Sequence, residues 1–503
     1  MSRYDVAIVG SGISGLTAAA ILSQWGKKVV VLERYSKPGG YMHSFRRFGE
    51  LFDTGAHYMG GLAPGEPFRV LLEYIGVFRE DVFARLADDG FDILNFPEGS
   101  IPIPHGYENL IKELSSGFPH DRLAIRRYFQ LVREVVRHFP TYEFSAESIL
   151  HLPPEALGKS LRDVVEGLTN NPRLQSVFYS YCSLHGVYPE DVAFGFHAIV
   201  TDSLVRGSYG LRGGGDALTA CFTEALQSRG AELRTKSSVE RFLVKDRQIQ
   251  SVQLASGETI EADWVISSLH PKTTFGMLSD DSALPPVFQS RLERLKESTG
   301  IFGLYTTCQK RPVFSPNRNQ YFFRSSDPRD QFSAFNPGER PPVIFMASPK
   351  RHWDAEESRF PLSFHSAAPM EWFGAHRSEK YGRRSPEYAA LKEKIATSIV
   401  DGVEAYAPGF REGLAEHVTS TPLTNLHFNG SVDGSAYGIY HSMQNTGPRA
   451  FGPRTKILNL LLTGHSCLFP GLLGAATSAL RTSGHIVGIK SILKTLSNLG
   501  DSP

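Results

Sequence analysis

The chain has 503 residues, of which 41% are hydrophobic and 21% are charged, and its formal net charge is +1. These values are typical of a globular protein with a large core and two or three domains, and the near-neutral charge argues against nucleic acid as the main partner. The four cysteines lie far apart in the sequence and form no CxxC pair, so neither a metal site nor a disulfide framework is predicted.

The N-terminal stretch predicts a strand, a glycine-rich turn and a helix. Asp5 to Val9 is a short apolar run, and Gly10, Gly12 and Gly15 follow it. Gly10 permits a tight turn, Gly12 lets a pyrophosphate approach the backbone, and Gly15 lets the helix pack close to the sheet. The first N–H groups of the helix, around Ser14, would then face the phosphates. The same glycines interrupt the apolar run, so no signal peptide is predicted and a cytoplasmic location is expected.

The next predicted strand lies in KKVVVLER and ends at Glu33 and Arg34, both of which are predicted to bind the cofactor. A carboxylate at this place can accept hydrogen bonds from both ribose hydroxyls of an adenosine. Gly39 and Gly40 follow six and seven residues after Glu33, a pair that nicotinamide dehydrogenases do not need. In this respect the chain resembles flavoproteins of the glutathione-reductase-like superfamily, in which this loop wraps against the diphosphate and the ribityl chain. The resemblance implies that the cofactor is FAD.

Later stretches narrow the resemblance to carotenoid desaturases and retinol saturases. FDTGAHYMGG, Phe52 to Gly61, looks like the loop that enters their pocket beside the flavin. Leu211 to Leu233 resembles their glycine turn, amphipathic helix and following strand, with an apolar helix face formed by Ala217, Leu218, Cys221, Phe222 and Ala225. SSVERFLV and EADWVISSL look like the strands that return the chain to the FAD domain, and the resemblance implies that the backbone of Val239 contacts the adenine.

The most specific resemblance lies near the C-terminus, where the PLTN, GSAYG and PRT...NL.LTG blocks follow the order and spacing of the retinol saturase and carotenoid isomerase branch. One departure is His465, which follows Gly464 where many members have an acidic residue that holds the ribityl hydroxyls. The helix that begins near Leu472 and Leu473 would direct its N-terminal N–H groups at the N1–C2=O edge of the flavin.

The stretch from Ile457 to Leu480 contains no charged residue and is long enough for a membrane span. Its composition, ILNLLLTG followed by PGLLGAATSAL, fits a buried strand, a glycine turn and a helix better. We therefore predict that this stretch belongs to the core of the protein.

Together these patterns predict an α/β fold with a discontinuous Rossmann-type FAD-binding domain made of residues 1–75, 200–270 and 420–495. Residues 76–199 are predicted to form a mainly helical cap. Residues 271–419 are predicted to form a substrate-binding domain with a mixed sheet, because GIFGLYTTCQ and YFFRSS alternate like strands. No second GxGxxG motif appears in the sequence, so no separate NADPH domain is predicted.

Two apolar segments each have two interpretations. Arg122 to Phe139 has one apolar face and a basic remainder, so it could rest on a membrane surface or form a cap helix with a solvated basic face. A group of aromatic residues could likewise line a long apolar tunnel or belong to the core; it comprises Phe178, Tyr179, Tyr181, Tyr188, Phe194 and Phe196.

Catalytic side chains are harder to predict, because the flavin performs the redox step and the protein supplies placement and electrostatics. His57 and Tyr58 are the first candidates for a proton donor, since FDTGAHY should border the flavin. Tyr437 and His441 come next, followed by His465, because neutral histidine is a natural proton shuttle near pH 7. The alternative interpretation is that these side chains form only a steric or hydrogen-bonding wall.

The resemblance therefore implies an FAD-dependent oxidoreductase or isomerase acting on C=C bonds of a long apolar polyene: a carotenoid, a retinoid or an unsaturated fatty acid. Saturation or isomerisation is favoured over desaturation. One alternative is a flavin oxidase of an amine or another small substrate. A second is a non-enzymatic lipid-binding protein resembling Rab GDP-dissociation inhibitor, against which the intact glycine set and Glu33 argue. The electron donor or acceptor is left open among quinone, oxygen and a separate reductase.

Overall fold

The computed structural model describes residues 3–137, 158–280 and 284–500. The strands, numbered in chain order, are β1 Arg3–Val9, β2 Val29–Leu32, β3 Ser44–Arg47, β4 Glu50–Asp53, β5 Phe83–Arg85, β6 Asp92–Phe96, β7 Gly99–Ile103, β8 Tyr209–Leu211, β9 Glu232–Arg234, β10 Val239–Lys245, β11 Gln248–Leu254, β12 Thr259–Ser267, β13 Ile301–Cys308, β14 Asn319–Phe323, β15 Val343–Ala347, β16 Phe360–Ala367, β17 Leu414–Ser420 and β18 Leu460–Leu462. The α-helices are α1 Ile13–Gln24, α2 Pro67–Tyr74, α3 Tyr107–Gly117, α4 Arg122–Val136, α5 Leu161–Glu166, α6 Pro172–Tyr179, α7 Phe194–Arg206, α8 Gly214–Ser228, α9 Pro271–Gly276, α10 Pro286–Glu293, α11 Pro386–Glu404, α12 Phe410–Gly413, α13 Pro422–Asn429, α14 Gly471–Val487 and α15 Ile489–Gly500.

The first sheet has the parallel order β9–β2–β1–β12–β18, and β12 also continues an antiparallel hairpin with β10 and β11. The chain passes from β1 through α1 to β2 on one side and places β12 on the other side of β1. The strand order therefore reverses between β1 and β12, which is where open α/β sheets bind ligands at the carboxyl ends of their strands. Helix α1 is buried from Ile13 to Ser23, because α8 and α14 cover the sides that the sheet leaves free.

The second sheet has the order β17–β13–β16–β15–β14–β6–β7 and is antiparallel except between β14 and β6. The strands predicted in GIFGLYTTCQ and YFFRSS are β13 and β14. The buried side of α11, which includes Ile395, Ile399 and Val403, packs in the same core as this sheet. The mixed sheet predicted for the substrate-binding region is therefore present.

Residues 76–199 were predicted to be mainly helical; where the structure describes them, they contain α3 to α6 and the start of α7, but also three strands. Residues 92–103 form β6 and β7 and belong to the second sheet rather than to a helical cap. The sequences FDILNF and GSIPI are short apolar runs around a turn. Hydrophobic periodicity alone does not distinguish such runs from helical segments, which is why the sequence prediction missed them.

The uncharged stretch from Ile457 to Leu480 forms strand β18, a turn at Gly464 and the first part of α14, as predicted. In the described ranges, we find no helix with the length and apolar character that a membrane span requires.

Candidate active site

One continuous cavity of about 1730 Å³ lies between the two sheets. It begins at the carboxyl ends of β1, β2 and β12 and extends to β15, β16 and helix α7. Its volume exceeds the roughly 300–1,000 Å³ of ordinary small-molecule pockets, so it has room for a dinucleotide and a second ligand. All the predicted site residues line this cavity except Gly15, Gly464 and His441.

The glycine turn after β1 forms one end of the cavity. Gly10 has a φ of +93°, which favours glycine, and Gly12 caps α1 without any side-chain hydrogen bond. A Cβ atom on Gly12 would meet nothing within 4 Å, whereas a Cβ on Gly15 would lie 2.0 Å from the carbonyl oxygen of Gly10. Gly12 therefore leaves open space before an uncapped helix N-terminus, as a diphosphate requires. Position 15 requires glycine, because a Cβ atom there would overlap the turn.

Glu33 and the second glycine pair close this end of the cavity. The Glu33 carboxylate accepts hydrogen bonds from the backbone N–H and the Oγ of Ser11 and from the backbone N–H of Tyr35, at 3.0, 2.6 and 2.8 Å. Gly39 donates its N–H to the carbonyl oxygen of Ser11 at 3.1 Å, and a Cβ on Gly40 would lie 3.2 Å from the Cα of Gly12. The loop that contains Gly39 and Gly40 thus lies directly against the glycine turn after β1.

Arg34 and Val239 lie farther out along the same wall of the cavity. The Nη2 of Arg34 donates to the carbonyl oxygens of His427 and Phe428, each at 2.9 Å. Arg34 therefore joins the end of β2 to the end of α13, and its predicted contact with the cofactor comes in addition to this structural role.

A second uncapped helix N-terminus faces the cavity at α14. Its N-cap, Pro470, provides no side-chain hydrogen bond, the first turn contains no acidic residue, and Leu472 and Leu473 line the cavity. Gly464 lies behind this surface, where its N–H donates to Ser478 Oγ at 3.1 Å. Such an N-terminus stabilises negative charge on a ligand by roughly 0.3–1 kcal/mol or somewhat more when partly buried.

His465 occupies the place at which an acidic residue was expected. Burial, together with the nearby His441 and His270, lowers the pKa of His465 to about 4, so its imidazole is neutral at neutral pH. A carboxylate reaches this region from another segment: Glu297 lines the cavity, with Lys272 Nζ at 3.0 Å and His270 Nε2 at 2.9 Å. Sequence reasoning missed Glu297, because it follows α10 in a segment without any motif.

The FDTGAHY loop is held by Asp53. Its Oδ1 accepts hydrogen bonds from Ser44 Oγ at 2.8 Å and from the backbone N–H of Gly215 at 2.9 Å, so the loop is fixed to the start of α8. Farther along, Arg351 Nη2 donates to the carbonyl oxygen of His57 at 2.5 Å. Burial, followed by the nearby guanidinium of Arg351, lowers the pKa of His57 to about 3, so this imidazole is also neutral at neutral pH.

Tyr58 lines the cavity but directs its hydroxyl into a buried polar cluster. The hydroxyl lies 2.7 Å from the Oη of Tyr321 and donates to Asp92 Oδ2 at 3.1 Å. Asp92 also accepts hydrogen bonds from Tyr181 at 2.9 Å and from Asn319 Nδ2 at 2.8 Å. Burial raises the pKa of Asp92 to about 6, although these hydrogen bonds oppose the shift. The sequence signal for Asp92 is a lone carboxylate in the apolar strand FDILNF.

Tyr437 and His441 come from the segment between α13 and β18. Tyr437 lines the cavity and donates its hydroxyl to the carbonyl oxygen of Ser183 at 2.9 Å. His441 Nε2 donates to the carbonyl oxygen of His465 at 2.8 Å, and the His441 ring stacks on Phe196. His441 itself does not line the cavity, but it is hydrogen-bonded to His465, which does.

Comparisons with known proteins show which family the chain belongs to. The family profile named flavin containing amine oxidoreductase matches residues 13–357. The chain belongs to this family. The flavoprotein is 28% identical to the all-trans-retinol 13,14-reductase of Rattus norvegicus, a match that covers 96% of this chain and 86% of the rat protein. It is 25% identical to prolycopene isomerase 2 of an Oncidium hybrid cultivar, over 93% of this chain and 81% of the plant protein.

In fold, the flavoprotein is similar to a solved oxidoreductase from Methanosarcina mazei, with a TM-score of 0.66 at 15% identity; the match covers 95% of this chain and 99% of that one. The predicted fold class, the FAD cofactor and the resemblance to retinol saturases and carotenoid isomerases are confirmed. The same findings favour an enzyme over the binding protein resembling Rab GDP-dissociation inhibitor. The two uncapped helix N-termini and the open space at Gly12 fit the diphosphate and the flavin edge of FAD.

We call the part of the cavity lined by the glycine turn, Glu33 and the start of α14 the cofactor end. Beyond it, the cavity of the flavoprotein is lined mainly by apolar side chains. They come from α7, from β15 and from loops of both sheets, and include Phe196, Ile199, Val200, Leu204, Phe332, Phe335, Phe345 and Trp372. Of the aromatic group considered for a tunnel, only Tyr188 and Phe196 line the cavity, whereas the other four members are buried in the core. The tunnel interpretation therefore applies to two of the six residues.

Helix α4 has the buried apolar face and the solvated basic face of a cap helix, the second of the two interpretations of this segment. Its apolar side chains, from Ile125 to Val136, are buried in the same core as α7, and its arginines lie on the outer side. Phe139, which was counted with this face, lies outside the described residues. The apolar face of α4 packs inside the protein and is therefore not available to a membrane.

Three buried side chains near the cavity have the spacing of metal ligands. His185 Nε2 lies 3.2 Å from His197 Nδ1, which lies 3.9 Å from Cys182 Sγ. Tetrahedral zinc would set these separations at about 3.3 and 3.6 Å. However, the N–H of Val187 donates to His185 Nδ1 at 3.3 Å, so the proton of His185 is on Nε2 and points at His197. A ligating histidine instead donates from its outer nitrogen. The three side chains are therefore better described as a hydrogen-bonded cluster than as a metal site.

Substitution of Asp92 by asparagine is expected to change how stability depends on pH. The pKa of Asp92 is raised from 3.8 to about 6 in the folded protein, so between these values the folded state binds a proton more readily than the unfolded chain. The contribution of Asp92 to the free energy of unfolding is therefore greatest at low pH and falls as the pH rises to about 6, by roughly 3 kcal/mol. Asp92→Asn removes this titration.

Urea denaturation of both proteins at about pH 4 and about pH 7 tests this expectation. The wild-type protein should lose stability relative to Asp92→Asn as the pH rises. Asp246→Asn, at an exposed carboxylate, is the control and should show no comparable change. An unchanged difference between wild type and Asp92→Asn at the two pH values would contradict the expectation.

Proposed function

We propose that this flavoprotein saturates or isomerises C=C bonds of a long apolar polyene of the retinoid or carotenoid class. The observation that carries the proposal is the apolar continuation of the cofactor cavity, bounded by α7, β15 and aromatic loops. The two relatives that match nearly the whole chain, named for all-trans-retinol and prolycopene, support a polyene over an amine. The alternative is an amine oxidase on the same fold, and the experiment must exclude it.

FAD, when bound, supplies hydride exchange with a carbon held against N5 of its ring system. The chain's own residues hold the substrate in place and exclude water. The apolar side chains of α7 and β15 bury the polyene, and about 25 cal/mol is gained for each Å² of apolar surface removed from water. Reacting carbons must be held within about 3–3.5 Å of the transferring atom, and rigid aromatic walls such as Phe345 and Phe196 suit this task.

Saturation also needs a proton, because hydride is added to one carbon of the double bond and a proton to the other. Among the predicted donors, Tyr58 is hydrogen-bonded to the carboxyl of Asp92, whose pKa burial raises to about 6, so a fraction of this carboxyl is protonated near neutral pH. His57 and His441 have pKa values lowered to about 3 and about 4, so their imidazolium forms are scarce at neutral pH. We therefore propose that the Tyr58 hydroxyl turns from Asp92 towards the substrate and gives up its proton, and that protonated Asp92 then returns a proton to the phenolate of Tyr58.

The experiment incubates the FAD-containing protein, both oxidised and photoreduced, anaerobically with all-trans-retinol, prolycopene, linoleic acid and putrescine. Product masses distinguish the reactions: saturation adds two hydrogens, desaturation removes two, and isomerisation leaves the mass unchanged while the retention time shifts. We expect the first or the third outcome with a polyene. A reaction with putrescine alone would contradict the proposal. Protein stripped of FAD is the matched control and should give no product.

A further inference from the structure

Two histidines from distant parts of the chain meet in the cavity. His57 belongs to the FDTGAHY loop and His365 to strand β16, and both line the cavity. Their ring centroids are 4.1 Å apart. The pair lies where the cofactor end of the cavity passes into its apolar part. On one side, the nearby Gly55 packs against Tyr41 of the cofactor end. On the other, the ring centroid of Phe345, in the apolar part, lies 5.8 Å from that of His57.

Neither imidazole ring has a hydrogen-bond partner among the described residues. His365 is 7% exposed, and its Nε2 is buried without a partner. The rings around the pair contribute no polar atom to it. The ring centroids of Phe345 and Tyr305 lie 6.0 and 5.6 Å from that of His365, and the Tyr305 hydroxyl is directed to Ser420. A buried imidazole nitrogen without a partner is costly, so the arrangement calls for a partner from a ligand.

The charge of the pair selects among polar ligands. Burial lowers the pKa of both imidazoles, so the rings are uncharged at neutral pH. Arg351, the nearest cation to His57, donates to the backbone carbonyl oxygen of that residue and is not among the residues that line the cavity. Neutral imidazoles offer both a donor and an acceptor, which matches a hydroxyl group better than a carboxylate.

We propose that His57 and His365 together hold the terminal hydroxyl of the substrate, so that this site takes a polyene alcohol in preference to a hydrocarbon polyene. This inference rests on the proposed function, which concerns the same cavity. Because the FDTGAHY loop is expected to border the flavin, the double bonds closest to the hydroxyl are the ones placed to react. A hydrocarbon carotenoid would leave both imidazoles without partners and would bind more weakly.

The test measures the affinity of the oxidised, FAD-containing protein for two probes of equal length. One is all-trans-retinol, and the other is the hydrocarbon in which a methyl group replaces its terminal hydroxyl group. Quenching of protein fluorescence is a suitable readout because Trp372 lines the cavity. We expect the wild-type protein to bind the alcohol about tenfold more tightly, which is the effect of about one well-placed hydrogen bond.

Substitutions at position 365 separate hydrogen bonding from packing. His365→Leu should weaken binding of the alcohol about tenfold and leave binding of the hydrocarbon within about twofold. His365→Gln, which keeps polar atoms at this place, should recover part of the preference. Phe345→Leu is the matched control at a neighbouring apolar position and should weaken binding of both probes alike.

Three outcomes would overturn the inference. They are equal wild-type affinities for the two probes, an equal loss for both in His365→Leu, and tighter binding of the corresponding carboxylic acid than of the alcohol. If both probes bind and react without discrimination, the inference fails while the proposed function stands. If neither probe binds and only an amine reacts, the proposed function fails and the inference fails with it.

Discussion

Gly15→Ala is expected to abolish retention of FAD and to destabilise the protein even without the cofactor. The Cβ of alanine would lie 2.0 Å from the carbonyl oxygen of Gly10, which is backbone and can move only if the turn moves. Such overpacking costs about 1–3 kcal/mol, and displacement of the turn also removes the space in front of α1 that receives the diphosphate. The purified variant should be colourless and should melt at a lower temperature than the wild-type apoprotein.

Two further variants show whether this interpretation is right. A Cβ on Gly12 meets nothing within 4 Å, so Gly12→Ala should keep the stability of the apoprotein while its methyl group occupies the place of the diphosphate and lowers FAD affinity. Gly117→Ala, at the exposed end of α3, should leave both properties unchanged. Equal apoprotein melting temperatures for Gly15→Ala and the wild type would show that the turn tolerates the methyl group, contrary to the expectation.

Glu33→Leu is expected to lower FAD affinity by roughly 10²–10⁴-fold, since hydrogen bonds to a charged group contribute about 1.5–3 kcal/mol each. The carboxylate follows β2 and lines the cavity, where we expect it to accept hydrogen bonds from the ribose hydroxyls of FAD. Leucine supplies no acceptor, and it also leaves the backbone N–H groups of Ser11 and Tyr35 without their partner. Titration of the apoprotein with FAD, followed by flavin absorbance, gives the affinity directly.

Glu33→Gln is the matched variant, because it keeps the length of the side chain and one acceptor oxygen. Its FAD affinity should fall between those of the wild type and Glu33→Leu. If Glu33→Leu binds FAD as well as the wild type does, the adenosine does not use this carboxylate, and the placement of the ribose at the end of β2 is wrong.

The sequence alone was enough to predict that the glycine turn, Glu33 and the start of α14 lie together around one cavity. Strand β1, the glycine turn and α1 are contiguous, so their signals are local: an apolar strand, residues that permit the turn, and helical spacing after it. The same holds for β2 with Glu33 and for the start of α14. Parallel strands bring their carboxyl ends to one edge of a sheet, so the order of the motifs along the chain is sufficient to predict that residues at those ends lie together.

The tertiary structure decided which side chains meet in the rest of the cavity. His57 and His365 belong to distant segments and pair only through packing, and Asp92 contacts Tyr58 because β6 joins the second sheet and not a helical cap. Glu297 reaches the cofactor end from a segment without a motif. Such contacts depend on strand order and on side-chain direction over long sequence separations, and neither is encoded in local hydrophobic periodicity. Local chemistry therefore identified the cofactor, whereas long-range packing determined which polar groups lie in and around the rest of the cavity.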